Sequence, residues 1–309
     1  MTLFISLLTK LLPLYAIIFL GFIAARYLNA QKETVAKLLI YIIAPVVVFW
    51  GAYTVPANFA NLSLPVLFFA IACLMCLVFL WIGKLVYKED PAKNIMAFTA
   101  GAANVGYFGL PVAMMIFSDR IFSLVVVSVM GFILYESTLG FFISANGRHG
   151  VKESLIKTAK LPTIYAFILG LLLNLAGVEL GPTIVATFAY FKGAYSLLGM
   201  MLIGMGLSLV CKTSFDIKFI SLSFLAKFAL WPAIVVVVIT LDRQFLHIYD
   251  PQAYRIMILL SVVPLAANAV AYATEFKTCP DKVSLAVTLS TLFALFYVPL
   301  VVSLLIGSI

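Results

Sequence analysis

The chain has 309 residues, of which 64% are hydrophobic and 10% are charged, and its formal net charge at pH 7 is +8. Its mean hydropathy is +1.17. This composition excludes a soluble globular protein and is typical of a polytopic membrane protein, because each span needs about 20 largely apolar residues to cross roughly 30 Å of hydrocarbon. Too little sequence remains for a soluble catalytic domain, so we do not expect an enzyme.

Apolar segments along the chain predict an all-α membrane protein with ten transmembrane helices. The segments cover residues 3–27, 34–54, 62–87, 94–117, 121–145, 161–177, 182–211, 219–240, 253–275 and 283–307. The first segment is predicted to be a span and not a signal peptide, since its apolar run continues to about Leu28 and no small-residue cleavage site stands out.

Positive charge is distributed unevenly between the predicted loops. One side of the membrane holds Arg26, Lys32, Lys37, Lys84, Lys88, Lys93, Arg148, Lys152, Lys157, Lys160, Lys212, Lys218, Lys277 and Lys282. The other side holds Arg120, Arg243 and Arg255. Because positive residues mark cytoplasmic loops, both termini are predicted to lie outside the cytoplasm. The positive net charge is therefore explained by the membrane topology. We expect no nucleic-acid partner, since no basic stripe with interleaved aromatic residues is present.

Proline interrupts two of the predicted spans, the fourth and the ninth. The first interruption extends from Gly101 to Pro111, and the second from Pro264 to Tyr272. A proline inside a helix removes a backbone donor and clashes with the preceding turn, at a cost of about 3 kcal/mol. Unwound backbone at membrane depth is tolerated only where it is buried in protein or lines a water-filled cavity. The paired interruption predicts the substrate site of a secondary transporter.

The two halves of the chain repeat these landmarks at similar offsets. Pro13 precedes Gly21 by eight residues, as Pro162 precedes Gly170, and the two pairs are 149 positions apart. The intramembrane prolines of the broken spans are 153 positions apart.

These offsets predict two five-helix repeats. The first covers residues 1–145, the second covers 161–309, and residues 146–160 form a polar cytoplasmic linker. Because five is odd, the second repeat enters the membrane from the opposite side and is inverted, a common design for alternating-access carriers.

Side chains near the two interruptions are the predicted substrate-binding residues. Half-helix N-termini carry unpaired N–H groups that favour an anion. Asn104 and Asn268 are placed to bind a substrate carboxylate, although an asparagine in a span also ties helices together. Gly109 allows close approach of backbone to a ligand or to another helix. Tyr107 either stacks on a ligand, donates a hydrogen bond or packs within the bundle.

Two charged residues lie inside predicted spans. Glu136 is the lone deep acid, and an intramembrane charge is expected to face a cavity or a partner. It is a proton carrier, a cation ligand or a structural hydrogen-bonding group. Lys227 either attracts an anionic substrate or extends to the cytoplasmic interface. We expect no metal and no cofactor apart from a coupling proton or sodium ion, and Cys73 and Cys76 are interpreted as small buried hydrophobic residues.

The sequence resembles the auxin efflux carrier family, which includes plant auxin carriers and bacterial malonate permease-like proteins. The resemblance rests on Asn104-Val-Gly-Tyr-Phe-Gly109-Leu-Pro111, with support from Val263-Pro264 and Asn268. Further support comes from the stretches at 38–45 and 198–207.

That family resemblance implies ten helices with outside termini, crossing helices 4 and 9, and carriage of organic anions. It also implies a scaffold of helices 1, 2, 6 and 7, often dimeric, and a transport domain of helices 3–5 and 8–10. The site role is carried over to Asn104, Pro111, Pro264 and Asn268. The short central linker favours a compact bacterial inner-membrane carrier.

The leading hypothesis is a secondary carrier for a small mono- or dicarboxylate that works by elevator-type alternating access. One alternative is a sodium-coupled symporter or cation/proton antiporter with a similar crossed-helix plan, although such proteins usually need more intramembrane acids. A membrane receptor is a third alternative.

Overall fold

The computed structural model describes residues 2–88, 90–145, 156, 160–207 and 215–305, and within these ranges every regular element is helical. Eight of the helices are long and apolar enough to cross a membrane. A helix satisfies its own backbone hydrogen bonds, which is why it is stable in hydrocarbon. The prediction of a multi-pass helical membrane protein is therefore confirmed.

The helices are numbered in chain order, and two of them are divided into segments. They are α1 (Thr2–Tyr27), α2 (Lys32–Thr54), α3 (Phe59–Tyr87), α4 (Ala92–Ile116), α5 (Asp119–Ser144), α6 (Pro162–Leu175), α7 (Pro182–Leu207), α8 (Ile217–Leu246), α9a (Pro251–Val262), α9b (Asn268–Glu275) and α10 (Pro280–Leu305). Within α4, α4a covers Ala92–Gly101, a π-helical turn covers Val105–Gly109, and α4b covers Leu110–Ile116.

Besides the interrupted α4, two predicted spans are not of full span length as single helices. The segment at 161–177 forms only the 14-residue α6, which ends before Gly177, a glycine in the left-handed region with a φ of 64°. The segment at 253–275 is divided between α9a and α9b. The linker predicted at 146–160 lies almost entirely outside the described residues.

The chain forms two compact units. The first unit contains residues 1–64, 106–129 and 159–209, and so includes α1, α2, α4b, α6 and α7. The second unit contains residues 65–105, 130–158 and 210–309, and so includes α4a, α8, α9a, α9b and α10.

In the first unit, glycines bring helix pairs into backbone contact. A Cβ atom added to Gly21 in α1 would lie 2.1 Å from the carbonyl oxygen of Met201 in α7. A Cβ atom added to Gly170 in α6 would lie 2.4 Å from the carbonyl oxygen of Phe49 in α2. Neither place admits a side chain, which explains why both positions hold glycine. These are the two glycines of the sequence repeat, and their partners are 152 positions apart.

In the second unit, polar contacts fix the ends of helices. Asp216 caps α8 by accepting the backbone N–H of Phe219 at 3.1 Å, and its carboxylate also accepts Nζ of Lys282 at 3.0 Å. Asp250 caps α9a by accepting the N–H of Ala253 at 2.8 Å. These caps satisfy N–H groups that lack a partner inside their own helix.

Candidate functional site

The interruption of α4 lies at residues 102–104, immediately after α4a. Gly101 closes α4a, and a Cβ atom there would lie 2.5 Å from both the carbonyl oxygen of Ala72 and Oη of Tyr135. Tyr135 in turn donates to the carbonyl oxygen of Phe98 at 3.0 Å. The glycine therefore lets the end of α4a pack tightly against α3 and α5 at the point where the helix stops.

The interruption of α9 contains Pro264 and contacts the interruption of α4. α9a ends at Val262, Val263 is extended, and α9b begins at Asn268. The backbone N–H of Asn104 donates to the carbonyl oxygen of Pro264 at 2.9 Å. Asn104 and Pro264 are both buried. The two unwound segments thus meet within the second unit, and a hydrogen bond between them satisfies one backbone N–H and one backbone carbonyl.

Glu136 connects both interruptions. It is buried, with 8% of its surface exposed, and it is the first residue of a π-helical turn in α5. Its carboxylate lies next to the backbone N–H of Ala103 and accepts a hydrogen bond from Nδ2 of Asn268 at 2.8 Å. Asn268 itself is exposed, so the buried carboxylate is in direct contact with a surface residue. π-helical turns are frequent at functional sites.

A neutral residue has the corresponding place at the interruption of α9. Oγ of Ser290 in α10 accepts the backbone N–H of Leu265 at 3.2 Å. Ser290 is fully buried and lies 154 positions after Glu136, close to the offsets of the sequence repeat. Sequence reasoning missed this residue, although the repeat offset applied to Glu136 points to it.

Aromatic side chains surround Tyr272, whose Oη donates to the carbonyl oxygen of Glu136 at 3.4 Å. Its ring meets the edges of Phe98 and Phe141, with centroids 4.9 and 5.8 Å away, and stacks on Phe276 at 6.1 Å. Such contacts favour a fixed ring position. The aromatic cluster therefore gives Glu136 and Asn268 an apolar wall on one side.

The remaining predicted site residues, Tyr107, Gly109 and Pro111, belong to the first unit. Tyr107 packs near Tyr195 of α7, with ring centroids 6.5 Å apart. Pro111 lies in the first turn of α4b, after the π-helical turn, whereas Pro264 lies inside a non-helical gap. Pro264 therefore lies within its interruption, whereas Pro111 lies after one. The helix tolerates Pro111 because the preceding π-helical turn has already changed the backbone hydrogen-bond pattern that a proline disrupts.

The side chain of Lys227 has no exposed surface, so the interpretation in which it extends to the cytoplasmic interface does not fit the structure. The side chain is fully buried in the second unit, and Nζ lies 4.7 Å from the ring centroid of Trp231. The indole N–H of Trp231 donates to the carbonyl oxygen of Ala100 at 2.8 Å, in the last turn of α4a. Lys227 is thereby held near the interruption of α4.

Chemically, this arrangement offers ligands for charge of both signs. The Glu136 carboxylate, together with carbonyl oxygens at the end of α4a, provides oxygen atoms for a proton or a sodium ion. The side-chain amides of Asn104 and Asn268 provide donors for an anion. In the first turn of α9b, the N–H groups of Ala269 and Val270 already donate to the carbonyl oxygens of Ala266 and Ala267.

Comparison with known proteins identifies the family. The sequence matches the family described as membrane transport protein over residues 6–302. The chain belongs to this family. The match confirms the resemblance to auxin efflux carriers stated from the sequence.

Relatives in bacteria and archaea are transporters without an assigned substrate. The chain is 26% identical over 296 residues to the uncharacterized transporter YfdV of Escherichia coli strain K12, covering 90% of this chain and 91% of that protein. It is 27% identical over 192 residues to the uncharacterized transporter MJ1031 of Methanocaldococcus jannaschii, covering 57% of this chain and 61% of that protein.

Proposed function

We propose that this member of the family is a secondary carrier that moves a small organic anion, a mono- or dicarboxylate such as malonate, across the bacterial inner membrane. The observation that carries the proposal is the contact between the two unwound segments, with Asn104 bonded to Pro264 and with Glu136 bonded to Asn268 beside them. Secondary carriers place their substrate and coupling-ion sites at such interrupted helices.

The proposed topology has ten spans in two inverted repeats, with both termini outside the cytoplasm. Support comes from the first unit, where Gly21 and Gly170 make the same kind of backbone contact with partner residues at a nearly constant offset. In the second unit, Glu136 and Ser290 follow a similar offset and each lies next to a backbone N–H at an interruption. On this topology α4 and α9 are the two interrupted spans and α6 is a short one.

In the proposed mechanism, the substrate carboxylate binds to donors at the interruptions, and the second unit carries it past the barrier. The scaffold is then formed by α1, α2, α6 and α7 of the first unit, which also form the surface of a homodimer. Alternating access of the elevator type follows if the second unit moves as a body, because its polar contacts and aromatic cluster are internal to it.

Glu136 is the proposed site of the coupling cation. A buried carboxylate becomes neutral when it binds a proton or a sodium ion, and this removes the repulsion between Glu136 and a carboxylate substrate. The carrier is then a symporter. Uptake driven by a pH gradient and uptake driven by a sodium gradient distinguish the two ions, and exchange of a cation for a proton without an anion would identify an antiporter instead.

Uptake of labelled malonate, succinate, acetate and indole-3-acetate by proteoliposomes tests the function. We expect wild-type protein to accumulate at least one of these anions, and Asn104→Ala and Pro111→Ala to abolish uptake while the protein still inserts and folds. Pro299→Ala, in the interior of α10, is the matched control and retains uptake. Unchanged flux in both test variants would remove the site assignment. Binding without accumulation would instead identify a receptor.

A further inference from the structure

Helix α8 contains two buried polar groups that lack a polar partner. Lys227 and Ser223 lie one turn apart on the same face, and neither has any exposed surface. Among the described residues, neither Nζ of Lys227 nor Oγ of Ser223 has a hydrogen-bond partner. A buried ammonium with no counter-charge among the described residues carries a large desolvation cost, and a bound anion would offset that cost.

The surroundings of Lys227 hold its ammonium in a defined place. It lies in a π-helical segment, Leu225–Leu230, of the kind that is frequent at functional sites. Trp231, one turn further along α8, covers the ammonium and is itself fixed by stacking on Phe132, with centroids 5.4 Å apart, and by its hydrogen bond to Ala100. The position of the charge is therefore set relative to the end of α4a.

One acid and one base thus lie beside the interruption of α4. The Glu136 carboxylate lies next to the N–H of Ala103, after the end of α4a, and accepts a hydrogen bond from Asn268. Lys227 is connected through Trp231 to the carbonyl of Ala100, before the end of α4a. An acid and a base that have no ion pair within the described part of the chain suit the simultaneous binding of a cation and an anion.

We propose that Nζ of Lys227 and Oγ of Ser223 bind a carboxylate group of the transported anion, while Glu136 binds the coupling cation. This inference rests on the proposed function and names the residues that recognise the charged part of the substrate. An ammonium has three donors and a hydroxyl has one, and all of them suit a carboxylate oxygen. Hydrogen bonds of this charge-assisted kind are the strong ones.

Thermal unfolding of purified protein in detergent tests the pair, with malonate and the neutral diamide malonamide as probes. Malonate raises the melting temperature of the wild type and malonamide does not, because only the anion binds the folded form. In Lys227→Met, the malonate concentration needed for the same rise increases about tenfold or more. In Ser223→Ala, it increases about threefold.

A matched control lies on the same helix. Lys218→Met removes an equal charge from an exposed position of α8 and leaves the malonate response unchanged. Without ligand, Lys227→Met melts at or above the wild-type temperature, since it removes a buried charge that has no partner. A much lower melting temperature would show that the fold itself stabilises the ammonium, and would overturn the proposal.

The remaining outcomes separate this inference from the proposed function. An equal malonate response in wild-type and Lys227→Met protein, together with equal malonate uptake in proteoliposomes, overturns the anion site and leaves the carrier function standing. If none of malonate, succinate, acetate and indole-3-acetate stabilises wild-type protein or enters proteoliposomes, the proposed function fails and the anion site fails with it.

Discussion

The interruptions of α4 and α9 are built alike but are satisfied by different chemistry. In α4 the N–H of Ala103 lies next to a carboxylate, Glu136, whereas in α9 the N–H of Leu265 is accepted by a hydroxyl, Ser290. Both acceptors come from the helix that follows the interruption, and both are buried. The acceptor is therefore a titratable acid at the interruption of α4 only, and this is why the proposed cation coupling is assigned to that interruption.

The largest expected effect comes from neutralising the charged side. Glu136→Gln keeps the size of the side chain but cannot release a proton or bind a cation through a charge. We expect gradient-driven accumulation to fall by about tenfold or more, since contacts to a charged group contribute roughly 1.5–3 kcal/mol. Uptake in proteoliposomes with and without an imposed gradient measures this.

Glu275→Gln is the control for that experiment, because it removes an exposed carboxylate at the end of α9b. It retains the wild-type response to the gradient. If Glu136→Gln also retained the full response, the two interruptions would be functionally equivalent and the comparison would fail.

An intermediate effect is expected at the contact between the two interruptions. Asn268→Ala removes the donor to Glu136, so the carboxylate loses part of its stabilisation. We expect the coupling-cation concentration for half-maximal uptake to shift by roughly tenfold, the amount expected for one hydrogen bond to a charged group. A cation titration of the uptake rate provides the measurement.

A second buried asparagine makes the test specific. Asn94 donates from Nδ2 to the carbonyl oxygen of Ile143 at 3.0 Å. Asn94→Ala should lower the melting temperature without changing the cation dependence. A cation shift of the same size in both variants would mean that general loosening, and not the Glu136 contact, sets the response.

The smallest effect on transport is expected on the neutral side. Ser290→Ala leaves the buried N–H of Leu265 without an acceptor, which costs about 1–3 kcal/mol. We expect the melting temperature to fall by a few degrees, at roughly 2–4 °C per kcal/mol, with little change in gradient dependence. Thr291→Val, next to it in α10, removes only a hydroxyl bonded within its own helix and should have a smaller effect. Loss of coupling in Ser290→Ala would show that both interruptions take part in it.

Much of the fold could be predicted because composition and proline placement act locally. Apolar runs of span length predict helices, and a proline such as Pro264 marks a gap in the chain wherever it falls. Glu136 and Asn268 could be identified as candidates from the sequence, since polar groups are rare in spans.

The rest could not be predicted because it depends on which faces of the helices meet. The sequence shows Glu136 as a charge in a span, but the partnership with Ala103 and Asn268 exists only after α5 packs beside both interruptions. The π-helical turns at Glu136 and Lys227 rotate the residues that follow to a different side of the helix, and no local sequence pattern predicts these turns. For the same reason the sequence leaves two interpretations of Lys227 open, and its burial beside Trp231 excludes one of them.

The length of α6 has a consequence for the surrounding lipid. Its 14 residues rise about 21 Å, while a typical hydrocarbon core is about 30 Å thick. If α6 crosses the membrane as proposed, acyl chains next to it must compress or its flanking residues must be drawn inward. Such a protein is expected to work best among short-chain lipids, so membrane thickness itself would tune its rate.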